Sequence, residues 1–93
     1  MDSQPSPIPS LEEINRLTPS EAIPLLTEYI HRNPEDDEAY TIRGLKYWSL
    51  NQRKEAITDY LAAIRINPDS RAKMALEFAN SILDFYNKDL LNP

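Results

Sequence analysis

Apolar residues recur at intervals of three and four through most of the chain, the spacing that places side chains on one face of a helix. This pattern predicts helices over residues 11–17, 19–32, 38–50, 53–66 and 71–88, separated by short polar breaks. No stretch shows a convincing alternation of apolar and polar residues, which would be typical of a half-buried strand. The chain is therefore predicted to be all-α.

Capping residues and prolines mark the predicted helix boundaries. Ser10 and Thr18 each precede a glutamate by three residues, which indicates a capping box at the start of the first two helices. The Asn-Pro pairs at 33–34 and 67–68 should end the second and fourth helices, because the residue before a proline avoids helical geometry. Pro24 lies inside the second helix and removes one hydrogen bond, so we expect a bend or a late start there.

Much of the stretch from residue 21 to 36 is repeated 34 residues later, from 55 to 70. Glu-Ala-Ile begins both copies and Asn-Pro lies near the end of both, which makes five identities at one offset. Apolar positions between them also match, as in the alignment of Leu26 with Tyr60. A fixed period of about 20 to 50 residues indicates an architecture of stacked repeats.

The unit 37–70 predicts a closely packed antiparallel pair of helices. Gly44, the single glycine of the chain, falls in mid-helix. Glycine costs about 1 kcal/mol relative to alanine in such a place. A close approach of two backbones would explain this glycine, since the facing helix carries small residues as well, and aromatic rings would fill the remaining volume. The predicted seam consists of Tyr40, Gly44, Tyr47, Ala56, Tyr60, Ala63 and Pro68.

These seam residues give the stretch 39–70 a resemblance to a tetratricopeptide repeat. That family has an aromatic residue, Leu-Gly and a tyrosine in its first helix, then alanine, an aromatic residue and alanine in its second, before a terminal proline. Arg43 stands where leucine is usual, and its aliphatic stem is expected to substitute in part. The resemblance implies a short right-handed solenoid of about five helices, built from stacked antiparallel pairs.

The resemblance also implies how the chain is divided. Residues 10–93 are predicted to form a single tetratricopeptide-like domain, after a Pro- and Ser-rich disordered lead at 1–9. Within the domain we expect a degenerate repeat at 10–36, the full repeat at 37–70, a capping helix at 71–88 and a tail at 89–93.

Tetratricopeptide repeats are protein-interaction modules, and the inner face, formed by the first helix of each pair, usually holds the partner. The resemblance therefore implies an adaptor or scaffold that binds a protein or peptide there. The apolar stripe of Ile42, Leu45 and Trp48 is either an open groove anchored by Trp48 or a surface covered by the last helix. The predicted partner-binding residues are Glu38, Thr41, Ile42, Leu45, Trp48, Ser49 and Gln52.

A second hypothesis is a purely architectural or self-associating module, because about three repeats are usually needed for stability. Either hypothesis is compatible with a monomer or a weak homodimer. Some members of the family clamp a C-terminal carboxylate with inner-face lysine and asparagine. Thr41 and Leu45 hold such places here, so that activity is expected to be absent.

Charge and hydropathy narrow the range of partners. The net charge of −5 combines nine acids and two bases in 1–40, three acids and seven bases in 41–75, and three acids and one base in 76–93. Flanking acids repel phosphates, so no nucleic-acid partner is expected. The chain has no apolar run of about 18 residues and no basic segment followed by an apolar core at its start. We therefore expect no membrane association and a cytoplasmic location.

Candidates for catalysis or metal binding are few. The absence of cysteine excludes disulfides and thiolate metal sites. His31 is the single histidine and lies near a helix C-terminus, where a partial positive charge is favoured. The acids at 35–38 lack the spacing and glycine of a calcium loop and are better explained as the start of a helix. The sequence therefore predicts a protein that is not an enzyme and uses no metal or cofactor.

Overall fold

The computed structural model describes the backbone of residues 9–91 and the side chains of residues 9–82. Over this range the chain forms helices and no strand, so the all-α prediction is confirmed for the part described. Nearly all of the predicted lead and the last two residues of the predicted tail lie outside it. The helices are α1 (Leu11–Asn15), α2 (Pro19–Arg32), α3 (Asp37–Ser49), α4 (Arg53–Ile66) and α5 (Ala72–Leu91).

The helix boundaries agree with the predicted ones to within one residue, except at the ends of α1 and α5. Helix α1 ends at Asn15, two residues early, and α5 continues to Leu91, three residues beyond its predicted end. Of the two alternatives expected at Pro24, a bend or a late start, the late start is wrong, because α2 begins at Pro19 and runs through Pro24. The missing N–H of Pro24 removes one backbone bond but leaves the rest of the helix intact.

Side chains cap the first three helices as the sequence predicts. In the first capping box, the Ser10 amide donates to Glu13 Oε1 (2.8 Å) and the Glu13 amide donates to Ser10 Oγ (3.2 Å). Thr18 forms the second box with the glutamate three residues later. The acidic run at 35–38 starts α3, where Asp36 Oδ1 accepts from the amides of Glu38 and Ala39. The interpretation of this run as a helix start is therefore confirmed.

Each helix packs against its neighbours along the chain, and α3 also touches α5. Two buried clusters result. The first joins α1, α2 and α3 through Ile14, Ala22, Leu26 and Ile42. The second joins α4 and α5 through Ala56, Tyr60, Ala63, Ala72 and Ala79, with α3 contributing partly buried aromatic rings.

Helix α1 has only five residues and depends on contacts with the rest of the fold. The Lys46 ammonium of α3 donates to the backbone oxygens of Asn15 (2.7 Å) and Leu17 (3.2 Å). These carbonyls at the end of α1 lack partners within the helix, and a lysine is a favourable donor to them. Lys46 and the burial of Ile14 therefore hold α1 against α3.

Helices α3 and α4 approach each other closely at Gly44. A Cβ atom placed there would lie 2.6 Å from Cε1 and 2.7 Å from Cδ1 of Tyr60, and 3.2 Å from the backbone oxygen of Ala56. Tyr60 is 1% exposed and Ala63 is fully buried, so the ring has no room to move away. The explanation of the mid-helix glycine as a close helix approach is confirmed.

The predicted seam needs one correction. Tyr40 and Tyr47 pack against the second cluster as partly buried rings, alongside the buried small residues. Pro68, in contrast, is exposed and lies just after the end of α4. It contributes by ending the helix, since it disfavours helical geometry at Asn67, and packs in no seam.

We expect Gly44→Ala to lower the free energy of unfolding by roughly 1–2 kcal/mol, because the overpacking cost exceeds the gain in helix propensity. Urea denaturation measures the change. The control is the same substitution in a Tyr60→Leu background, where the colliding ring carbons are absent and the loss should shrink. An equal loss in both backgrounds, or a net gain in the wild-type background, would contradict this packing.

Candidate protein-binding surface

Two of the seven predicted partner-binding residues are buried and have no surface to offer a partner. Thr41 is 1% exposed, and its hydroxyl lies 3.2 Å from the hydroxyl of Ser70. Ile42 is 4% exposed and packs in the first cluster beside Ile14 and Leu26. The placement of Thr41 and Ile42 on an open inner face is therefore corrected.

The geometry of a helix explains the error at Ile42. Residues six positions apart differ by about 120° around the helix axis, so Ile42 and Trp48 cannot share one narrow stripe. Ile42 turns toward α2, whereas Trp48 turns toward α4 and α5. Leu45 lies between these directions and is 38% exposed.

Glu38 lies at the start of α3 and forms an ion pair with Arg71, the residue directly before α5. Its carboxylate accepts from Arg71 Nε and lies 2.6 Å from Arg71 Nη2. Both side chains are about half exposed, and such pairs contribute about 0–1 kcal/mol. Glu38 therefore orients the first turn of α5 against α3, and a partner would have to compete with Arg71 for it.

Trp48 lies near the other end of α3, between a cation and an aromatic ring. The guanidinium carbon of Arg53 lies 4.7 Å from the centroid of the Trp48 ring. Phe78 of α5 meets the indole edge to face, with centroids 6.4 Å apart and an interplanar angle of 66°. Trp48 is half-buried, and Phe78 remains 59% exposed. The last helix therefore covers Trp48 only in part.

The remaining predicted residues border this aromatic pair. Ser49 and Gln52 are exposed, and the Ser49 hydroxyl donates to the backbone oxygen of Leu45. Helical spacing places Ser49 one turn after Leu45, whereas Gln52 lies beyond the end of α3 and directly before Arg53 of α4. We call this region the Trp48 surface. It consists of Leu45, Trp48, Ser49, Gln52, Arg53 and Phe78.

Sequence reasoning did not assign Phe78 and Arg53 to this surface. Phe78 stands 34 residues after Gly44, so a large exposed ring occupies a register position where the full repeat has its glycine. A phenylalanine in place of the glycine indicates that α5 does not pack in the way that α3 does. Nothing in the sequence pattern indicates that Arg53 contacts the ring of Trp48. This contact depends on the backbone conformation of the turn at 50–52, which sets the direction of α4 relative to α3.

Arg43 and Asp59 form a largely buried ion pair between α3 and α4. Asp59 accepts from Arg43 Nε (2.8 Å) and Nη2 (2.7 Å), and Nη1 donates to Thr27 of α2 (3.1 Å). The Arg43 and Asp59 side chains are only 17% and 5% exposed. The rings of Tyr40 and Tyr47 flank the guanidinium at 5.8 and 5.9 Å. The guanidinium, and not only the aliphatic stem of Arg43, is therefore packed between α3 and α4.

Arg43 keeps its charge throughout the neutral pH range, so the arginine of this ion pair does not titrate there. The hydrogen bonds to Asp59 raise the pKa of Arg43 above its ordinary value, although burial opposes the shift. A raised arginine pKa means that the contribution to stability is complete below the unfolded value and is lost only at higher, strongly alkaline pH. Burial, followed by the charge of Asp59, also raises the pKa of Tyr60, which stays neutral at the seam.

A groove of about 250 Å³ opens beside the ion pair. Its charged groups include Arg43, which Asp59 already neutralises, and Lys54 and Glu55, which have opposite signs. The groove therefore presents no excess of charge that would select an ionic ligand. It is lined by Arg43, Tyr47, Lys54, Glu55, Thr58 and Asp59.

Within the described residues, no group of three His, Cys, Asp or Glu side chains is arranged to hold a metal ion. His31 is exposed near the end of α2. Of the helices described, none is both long and apolar enough to cross a membrane.

Comparison with known proteins adds no assignment. No protein-family model matches the chain, no curated protein is significantly similar to it, and no solved structure matches its fold significantly. The interpretation of the Trp48 surface therefore rests on the contacts of the residues themselves.

We expect single substitutions of Arg43 or Asp59 by leucine to cost about 3 kcal/mol of unfolding free energy, because each leaves the other charge buried and unpaired. The double variant should recover most of that loss. Chemical denaturation of the wild type, the two single variants and the double variant gives the coupling free energy between Arg43 and Asp59. As a matched control, the exposed pair formed by Glu12 of α1 and Arg16, which follows this helix, should show a coupling free energy near zero. Additive losses at Arg43 and Asp59 would show that the pair does not act as described.

Proposed function

We propose that this chain is a tetratricopeptide-like interaction module that binds a segment of another protein on the Trp48 surface. The 34-residue repeat and the close contact of Gly44 with Tyr60 support the architecture. Helices that pack mainly against their neighbours along the chain, with an added contact between α3 and α5, are what stacked helix pairs require. In this proposal the pairs stack as a short right-handed solenoid.

The observation that carries the binding function is the partly exposed aromatic pair of Trp48 and Phe78. Leu45 extends the apolar area to one side, and Ser49 and Gln52 provide a polar rim. Protein interfaces are enriched in aromatic residues at their centres and in polar residues at their rims. Tryptophan is among the residues that contribute most to binding when a partner completes its burial.

The proposal assigns no catalytic role. Among the described residues, the single histidine is exposed and belongs to no cluster of acids that would orient it for proton transfer. The carboxylate of Asp59 is buried and is paired with Arg43. Our view that the protein is not an enzyme stays a prediction, as do its cytoplasmic location and the absence of a nucleic-acid partner.

The test compares two exposed leucines. Leu45→Asp places a charge on the Trp48 surface, whereas Leu61→Asp places one on α4 at a leucine that is 49% exposed and belongs to neither buried cluster. We expect proteins captured from a lysate of the source cells by the wild type to be retained by Leu61→Asp. The same proteins should no longer be captured by Leu45→Asp. For a confirmed binder, we expect this substitution to lower the affinity by about tenfold or more.

Thermal melts of both variants establish that they are folded to the same extent. Retention of the same binders by Leu45→Asp would rule out the Trp48 surface as the binding site. Equal loss with both variants would indicate a general effect of added charge and would also count against this site.

A self-associating module is the second candidate, and the exposed face of α5 favours it. Met74 and Phe78 are 74% and 59% exposed, although they stand 34 residues after Tyr40 and Gly44, which pack against α4. Sedimentation velocity over a range of protein concentrations distinguishes the candidates. The interaction module predicts a constant sedimentation coefficient, whereas self-association predicts an increase with concentration that Met74→Asp abolishes.

A further inference from the structure

We infer that the partner segment carries a carboxylate beside an apolar anchor, and that Arg53 receives this carboxylate at the edge of the Trp48 surface. The inference rests on the proposed function, since it concerns the chemistry of the segment that binds there. It follows from three observations: the position of Arg53 beside Trp48, the absence of a hydrogen-bond acceptor for its Nε within the described residues, and the excess of basic residues in this part of the sequence.

Arg53 and the aromatic pair are adjacent. Arg53 is the first residue of α4, and its guanidinium stacks over the indole of Trp48 at 4.7 Å, while Phe78 meets the same indole by its edge. A segment that places an apolar side chain against Trp48 and Phe78 therefore brings its neighbouring residues close to the guanidinium.

Arg53 differs from the other two arginines that pack between helices. Nε of Arg43 donates to Asp59, and Nε of Arg71 donates to Glu38. Nε of Arg53 is buried and has no hydrogen-bond partner within the described part of the chain. A buried donor without an acceptor costs about 1–3 kcal/mol, and a carboxylate that reaches Nε through a shift of this side chain would relieve that cost.

A carboxylate is the acceptor that the surroundings favour. Residues 41–75 carry seven bases and three acids. One of these acids, Asp59, is taken up by Arg43, and among the described residues no carboxylate lies within ion-pair distance of Arg53. The acids closest in sequence to this surface are Glu55 and Glu77, and both are exposed. Guanidinium groups bind carboxylates through two parallel hydrogen bonds, which are stronger than neutral ones.

The probe is a random-peptide phage library panned on the immobilised full-length chain, with Leu45→Asp protein as the counter-selection. We expect the peptides that survive to combine Asp or Glu with a neighbouring Phe, Trp or Leu. Fluorescence polarisation of a labelled selected peptide then gives its dissociation constant. Arg53→Gln should weaken binding by about tenfold and remove most of its salt dependence, because a charge-assisted contact is lost.

Two further variants separate charge from structure. Arg65→Gln removes the same charge from an exposed position on the same helix and should leave the affinity unchanged. Arg53→Lys keeps the charge and should retain more affinity than Arg53→Gln. Equal weakening by the lysine and glutamine variants, with the salt dependence of the wild type retained in both, would overturn the inference, since it would show that Arg53 acts through its packing on Trp48.

The remaining outcomes separate this inference from the proposed function. Selected peptides that need Leu45 but carry no acids, or that bind Arg53→Gln as well as wild type, overturn the inference and leave the Trp48 surface standing. A library that yields no peptide dependent on Leu45 counts against both.

Discussion

The close contact between Gly44 of α3 and the ring of Tyr60 of α4 is the constraint on which the rest of the structure depends. The ring carbons would lie within 2.7 Å of any added Cβ atom, so only glycine permits this distance between the helices. Tyr60 is then enclosed by Ala56 and Ala63, and α5 adds Ala72 and Ala79 to the same cluster. Small residues on three helices thus let one large ring fill the space among them.

The same interface fixes the position of Arg43. At this separation of α3 and α4, Arg43 reaches Asp59 with two short hydrogen bonds and extends to Thr27 of α2. A buried ion pair adds little stability compared with a pair of apolar residues, but breaking it is costly. Its effect here is therefore to favour one alignment of α2, α3 and α4 over others. That alignment sets the orientation of α3, which carries Leu45 and Trp48.

Much of the fold could be predicted from the sequence because its determinants are local. The capping boxes at Ser10 and Thr18, the acidic start of α3 and the stop before Pro68 each depend on residues within a few positions. Gly44 was also informative, because a lone glycine in mid-helix has few explanations other than close packing.

The binding surface was harder to predict because it depends on contacts between distant residues. The buried hydroxyl of Thr41 contacts that of Ser70, which lies 29 residues away along the chain, and Ile42 packs against α1 and α2. Phe78 and Arg53 reach Trp48 from two other helices. Amphipathic spacing specifies a direction around a helix axis, but the neighbour found in that direction depends on the assembled fold.

Native-state hydrogen exchange tests most directly the claim that the α3–α4 pair is the unit on which the fold depends. Amides inside α3 and α4 should exchange last and together, at the free energy of global unfolding, whereas those of α1 and of α5 beyond its first turns should exchange through smaller openings. Slower exchange in α2 or α5 than in α3 and α4 would contradict the account.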